Sequence, residues 1–236
     1  MSTIPQSADN PSNLSPLLAS LFPSGVVVAE LRERADPAML LPAESAYLGR
    51  AVAKRAQEFA GGRLCARRAL REFGIDQFPL RVADDRQPVW PPGFVGSITH
   101  TAGLCAAAVA SSSAVATVGI DTEIVGHVPP DIWPTICVAG EAAWVDSLSP
   151  EERAAAVTLI FSAKEAFYKC QFPLTGEWLD FHDLSVEPET WGQNASRILI
   201  RPTRRIRFEE YAQLPLFGRY LYHAEFISVG VTLVKC

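Results

Sequence analysis

The stretch SPEERAAAVTLIFSAKEAFYKC, residues 149–170, constrains the fold more than any other part of the chain. Ser149 stands where an N-cap belongs, Pro150 fits the first helical position, and Glu152 completes a capping box, so a helix start is strongly marked. Downstream, Ile160, Ala163, Phe167 and Cys170 recur at helical spacing and form one apolar face. Such a face must be buried against another layer. Lys164, Glu165 and Lys169 interrupt it. Glu165 and Lys169 are four apart and share a face, and spacing alone favours a surface ion pair worth about 0.3–0.5 kcal/mol. The sharper reading makes Glu165 an oxygen ligand and base, and Lys169 a partner for a phosphate oxygen.

The other layer is legible on both sides of this helix. GVVVAELRE reads as a strand, and the run from Leu41 to Gly74 has helical spacing, with Gly74 placed as a C-cap. Gly61-Gly62 interrupts that run. Each glycine costs a helix interior about 1 kcal/mol, so the pair predicts a break or a close approach of backbone. After the turn-rich DDRQPVWPPGFVG come three strand-like segments, FVGSITHT, LCAAAVAS and AVATVGIDTEIV. The last third alternates turns with FHDLSVEPE, SRILIRP, RIRFEEYA and LYHAEFISVGVTLVK, read as short strands. The order is α+β with antiparallel-type strands, and no internal repeat stands out. Residues 1–18, rich in Ser, Pro and Asn, read as a flexible tail.

Composition narrows the function classes. The chain has 236 residues, 48% hydrophobic and 20% charged, which suits one large domain or two small ones sharing a core. A net charge of −5 argues against a general nucleic-acid binder, though not against a local basic pocket for a phosphorylated ligand. The five cysteines are dispersed without a CxxC pair, which reads as reduced thiols rather than a disulfide framework or a zinc site. No apolar run is long enough to span a membrane, the start lacks a secretion signal, and Cys236 does not form a prenylation box. A cytoplasmic protein is the expectation.

Three further groups of residues can carry chemistry. In VGIDTEI, strand alternation points Asp121 and Glu123 to one face. Adjacent carboxylates resist joint ionisation unless a cation sits between them, and a hard ion such as Mg2+ would relieve the repulsion. The pair alone equally describes a solvated edge-strand face, although Val118 and Ile120 mark a buried strand. GSITHT offers Thr99 and His100, able to meet a phosphate through hydroxyl and ring N–H; a lone histidine is more often structural. Arg55 and Arg63 flank the double glycine, with Arg86 in a later turn. These read as a charged helix face or as a clamp in which guanidinium forks grip phosphate oxygens.

Taken in order, KRAQEFAGGRLCAR, GSITHT, VGIDTE and FSAKEAFYK resemble the motif set of the 4′-phosphopantetheinyl transferases. The likeness is to the large pseudo-dimeric branch that includes enterobactin-synthase component D and similar actinobacterial enzymes, and it spans about residues 45–170. It implies two similar α/β halves related by a pseudo-twofold, dividing near residue 118, with 19–118 holding coenzyme A and 119–236 carrying the metal and the catalytic helix. It implies transfer of the phosphopantetheine arm of coenzyme A to a serine of an apo acyl- or peptidyl-carrier protein, releasing 3′,5′-ADP. Asp121, Glu123 and Glu165 would hold Mg2+, with Mn2+ the other candidate. Glu165 would also serve as base, Lys169 would steady the pyrophosphate, and His100 and Thr99 would contact phosphates. Arg55, Arg63 and Arg86 would hold the 3′-phosphoadenosine end, with Lys164 a secondary contact. Members of this size act as monomers in fatty acid, polyketide, or nonribosomal peptide and siderophore synthesis. The rival readings are another Mg2+-dependent phospho- or nucleotidyltransferase, or a non-catalytic module binding coenzyme A or a carrier protein.

Overall fold

The computed structural model describes residues 17–49 and 52–235. Most of the tail expected over 1–18 lies outside these residues; of its last two, Leu18 is buried in a short 3-10 turn, Leu17–Leu21. Strand β1 (Val26–Leu31) leads to a short helix α1 (Pro42–Ser45) and a long helix α2 (Ala53–Arg71). Strands β2 (Phe94–Thr101), β3 (Leu104–Ser111) and β4 (Val115–Ile124) follow. Then come three helices, α3 (Trp133–Ile136), α4 (Ala139–Ser147) and α5 (Pro150–Thr175). The chain closes with β5 (Leu184–Pro188), β6 (Ala195–Pro202), β7 (Leu216–His223) and β8 (Phe226–Val234).

Two antiparallel sheets result, one ordered β1-β3-β2 and the other β4-β8-β7-β6-β5. In both, the last strand of the set is inserted beside the first. Helix α2 covers one face of the small sheet through Cys65, Ala66, Ala69 and Leu70 against Ala107 and Val109. Helix α5 covers the large sheet with its apolar stripe, Leu159, Ala163, Phe167 and Cys170, against Ile198, Val229 and Val231. The remaining faces of the two sheets meet each other, with Val28, Ala106 and Ala108 packed on Val118 and Ile120. The fold is the α+β class expected.

Several local expectations change. Gly61-Gly62 does not break α2, which runs through both residues. Both glycines are buried under the small sheet, where a Cβ would press into Cys105 or Ile98, so they serve the close approach instead. The first helical run splits into α1 and α2, and α2 ends at Arg71, three residues before Gly74 takes its left-handed turn. RIRFEEYA contains a 3-10 turn, Arg207–Glu210, rather than a strand. At the start of α5, Glu152 accepts from both the N–H and the hydroxyl of Ser149, at 3.2 and 2.8 Å.

Candidate active site

Strand β4 places the site. Its residues alternate, so Val118 and Ile120 enter the inter-sheet core while Thr117, Gly119, Asp121 and Glu123 face α5. The helix lies close because Gly119 has no side chain: a Cβ there would overlap the Ala166 carbonyl oxygen. Thr117 Oγ1 then donates to the Cys170 carbonyl at 2.6 Å. Contact this tight sets Glu165 and Lys169 beside the β4 carboxylates.

The free edge of β4 is closed from the other sheet by side chains. Ser97 Oγ accepts the Ile120 N–H at 3.1 Å and Thr99 Oγ1 accepts the Thr122 N–H at 3.0 Å. These two hydroxyls do the work of ladder carbonyls, and no buried N–H is stranded there. Thr99 also donates to Asp121 Oδ1 at 3.4 Å. Its hydroxyl is thus engaged on both sides and buried, so the expected phosphate contact gives way to orientation of Asp121.

Lys169 Nζ donates to Asp121 Oδ1 at 2.6 Å and lies 3.4 Å from the Ile120 carbonyl. Burial works against the Lys169 charge, but Asp121, then Glu165 and Glu123, hold its amine above the ordinary lysine range. Burial, aided by Asp121 and Glu165 and opposed by Lys169, pushes Glu123 up to about 7. Burial likewise raises Glu165. The three carboxylates therefore share one field, centred on one ammonium.

Among the described residues no three Asp, Glu, His or Cys side chains already stand as a metal-holding group. The closed triad of Asp121, Glu123 and Glu165 is not assembled, and Lys169 occupies Asp121 Oδ1 as a cation would. Asp121 Oδ2, however, is buried without a hydrogen-bond partner among the described residues. A stranded carboxylate oxygen costs about 1–3 kcal/mol or more, and an all-oxygen donor set of this kind fits a hard divalent ion. Mg2+ commonly takes one or two carboxylates and fills its octahedron with water and phosphate oxygens, so a preformed cage of three is unnecessary. The residues fit the ion.

Beside this cluster opens a cavity of about 600 Å3, lined by Arg63, Arg86, His100 and Lys169 and by the rings of Trp90, Tyr168, Phe172 and Trp178. Arg63 is buried, donates through Nε to the Leu80 carbonyl at 3.2 Å, and rests 4.0 Å from the centroid of Phe59. Burial draws it down to about 10, so it stays a cation at neutral pH. Arg86 is exposed, in a turn with φ 70°. His100, at the end of β2, keeps its ring half exposed with Nδ1 3.9 Å from Glu58 Oε2. Partial burial lowers its pKa against the pull of Glu58. A smaller cavity of about 280 Å3, sharing Tyr168 and Trp178 with the first, reaches Glu165.

Two expected contacts lie outside the lining of the larger cavity. Arg55 is exposed in the first turn of α2 and does not line the larger cavity. Lys164 is 2% exposed, and its ammonium donates to Glu141 Oε2, Ile136 O and Phe181 O at 2.7, 2.7 and 2.9 Å. All three of its protons are committed, so the residue braces α5 while it lines the smaller cavity beside Glu165. Sequence reasoning missed Glu141 and the part that Ser97 plays at the β4 edge. Ser97 was within reach, because it shares a strand face with Thr99 at a spacing of two.

An α+β chain whose acidic strand and lysine-bearing helix adjoin a basic cavity has the build of a phosphoryl-transfer enzyme. Comparison sharpens this. Residues 43–110 match the family model described as the 4′-phosphopantetheinyl transferase N-terminal domain, and residues 117–222 match the 4′-phosphopantetheinyl transferase superfamily. The chain is similar to the 4′-phosphopantetheinyl transferase Svp of Streptomyces mobaraensis, 39% identical over 190 residues, covering 78% of this chain and 77% of that one. It is 40% identical over 196 residues to PptT of Mycobacterium tuberculosis, covering 78% and 85%. Enterobactin synthase component D of Salmonella typhi matches over 118 residues at 37%, about half of each chain. The chain belongs to the 4′-phosphopantetheinyl transferase superfamily. Within it, this is an enzyme, a 4′-phosphopantetheinyl transferase. No helix among the described residues is long and apolar enough to cross a membrane.

Proposed function

We propose that the protein transfers the 4′-phosphopantetheine arm of coenzyme A to a serine of an apo acyl- or peptidyl-carrier protein, with release of 3′,5′-ADP and a requirement for Mg2+. The observation that carries this is the stranded Oδ2 of Asp121, buried among Glu123, Glu165 and Lys169 beside a basic cavity of ligand size. Asp121, Glu123 and Glu165 are the residues that would hold the ion. When bound, it would neutralise diphosphate oxygens, the main need of phosphoryl transfer.

The rest falls to the chain itself. Arg63 and Arg86 line the cavity that would take the 3′-phosphoadenosine end, and Trp90 offers its ring there. His100 lines the same cavity as Lys169 and would donate to a phosphate oxygen. Glu165, with its raised pKa, receives the proton of the acceptor serine directly or through water. The serine Oγ–P bond forms at the β-phosphorus as the bridging P–O bond breaks, and the bridging oxygen leaves on 3′,5′-ADP. Lys169 steadies that developing charge; its ammonium needs only to leave Asp121 Oδ1. On this reading the halves divide near residue 118, the first holding coenzyme A and the second supplying the acidic cluster.

Product analysis tests it against the nearest rival. With Mg2+ and an apo carrier protein, coenzyme A should yield 3′,5′-ADP in equal amount to modified carrier, while ATP should yield nothing. Turnover of ATP without coenzyme A would favour a nucleotidyl- or phosphotransferase instead.

A further inference from the structure

The chain contains two buried ion pairs that are copies of one arrangement. In the first, fully buried Glu44 pairs with Arg67 of α2; its Oε2 accepts the Leu41 N–H at 2.9 Å and its Oε1 the Leu80 N–H at 3.0 Å. Arg67 Nη2 donates onward to the Met39 carbonyl at 2.7 Å. In the second, Glu141 pairs with Lys164 of α5; its Oε2 accepts the Val138 N–H at 2.8 Å and its Oε1 the Val186 N–H at 2.7 Å. Lys164 donates onward to the Ile136 carbonyl. In both, the basic residue follows its glutamate by 23 positions. Met39, Leu41, Glu44 and Arg67 each precede their counterparts Ile136, Val138, Glu141 and Lys164 by one interval of 97 positions. An arrangement repeated at a constant interval is a built feature of the fold.

The first copy connects to the larger cavity, whereas Lys164 of the second lines the smaller one. The Leu80 backbone is held on both sides of its Cα: its N–H donates to Glu44, and its carbonyl accepts from Nε of Arg63. Arg63 in turn lies on Phe59 and lines the cavity with its remaining donors. We propose that Glu44 is a positioning residue for coenzyme A: it anchors the backbone at Leu80, and the Leu80 carbonyl so placed fixes the direction of the Arg63 guanidinium. A long arginine side chain ordered before the ligand arrives loses less freedom on binding. The inference rests on Arg63 meeting the 3′-phosphate, as proposed above.

Binding of coenzyme A and of 3′-dephospho-coenzyme A, measured by calorimetry on the full chain, separates the cases. Glu44→Gln puts an amide where three donors converge on a carboxylate. It should weaken coenzyme A by about tenfold, the middle of the range for coupled neighbours, and leave the dephospho compound within about twofold. In an Arg63→Ala background the same change should have no further effect on coenzyme A. Glu44→Asp keeps the charge for Arg67 while withdrawing from Leu80, and should act in the same direction if Glu44→Gln does not fold. Equal losses for both ligands, or a full loss added to that of Arg63→Ala, would overturn the proposal. If Arg63→Ala alone leaves both affinities unchanged, the placement of Arg63 on the 3′-phosphate fails first, and this proposal with it.

Discussion

Glu141→Gln attacks the ion pair that braces α5, and the contacts set its cost. Lys164 is 2% exposed, and Glu141 is its one charged partner among three acceptors. An amide at 141 removes that charge and turns an NH2 toward one of three donors, Lys164 Nζ or the N–H of Val138 or Val186. Breaking a buried pair from one side costs about 3–5 kcal/mol. In a chain of this length each kcal/mol moves Tm by about 2–4 °C, so the drop should be roughly 6–20 °C. Its pH dependence has a definite sign. Burial pulls the Lys164 amine below the ordinary lysine value, and Glu141 opposes this. A folded-state pKa below the unfolded one means that the unfolded chain binds more protons in between, so stability rises with pH across that window. Without Glu141 the folded value falls further and the window opens at lower pH. The deficit of the variant should therefore shrink between pH 7 and pH 9.5. Calorimetric melts at both values check it. A drop under about 1 kcal/mol, or one independent of pH, would refute the assignment of Lys164 as a buried, charged strut.

Gly119→Ala drives a methyl into the Ala166 carbonyl; it should cost about 1–3 kcal/mol and lower kcat at least tenfold, because α5 must shift relative to Asp121. Steady-state rates and melts on the same preparation would show both effects or disprove the close contact. Ser97→Ala strands the Ile120 N–H at the junction of the two sheets and should cost about 1–3 kcal/mol with coenzyme A binding little altered, read by denaturant titration. Lys169→Met should cut kcat by about a hundredfold or more while raising the affinity of the apoprotein for Mg2+, because Asp121 Oδ1 is then free. Unchanged ion binding in that variant would show that the lysine does not occupy the ion's place.

Much of the fold was legible because its signals are local. Alternation in VGIDTEI correctly set Asp121 and Glu123 on one face, and the stripe of Ile160, Ala163, Phe167 and Cys170 correctly buried α5. What failed was longer in range. The glycine pair reads as a helix breaker until the small sheet arrives over it, and only tertiary contact decides between the two outcomes. RIRFEEYA has strand composition, but its residues close a 3-10 turn on Glu177 and Glu209 rather than joining β6. Lys164 sits next to Glu165 in sequence, yet successive helix positions point about 100° apart, so one serves the strut and the other the cluster. The repeat of 97 positions escaped notice because Arg stands in one copy and Lys in the other; charge and place are kept while residue identity is not.

Intact-mass spectrometry of apo carrier proteins from several pathways, incubated with coenzyme A and the purified enzyme, is the most direct trial. Addition of one phosphopantetheine per carrier, abolished by a chelator, restored by Mg2+ and absent with folded Glu165→Gln, is the expected outcome. Unmodified carriers throughout, or modification that persists after chelation or in Glu165→Gln, would contradict it.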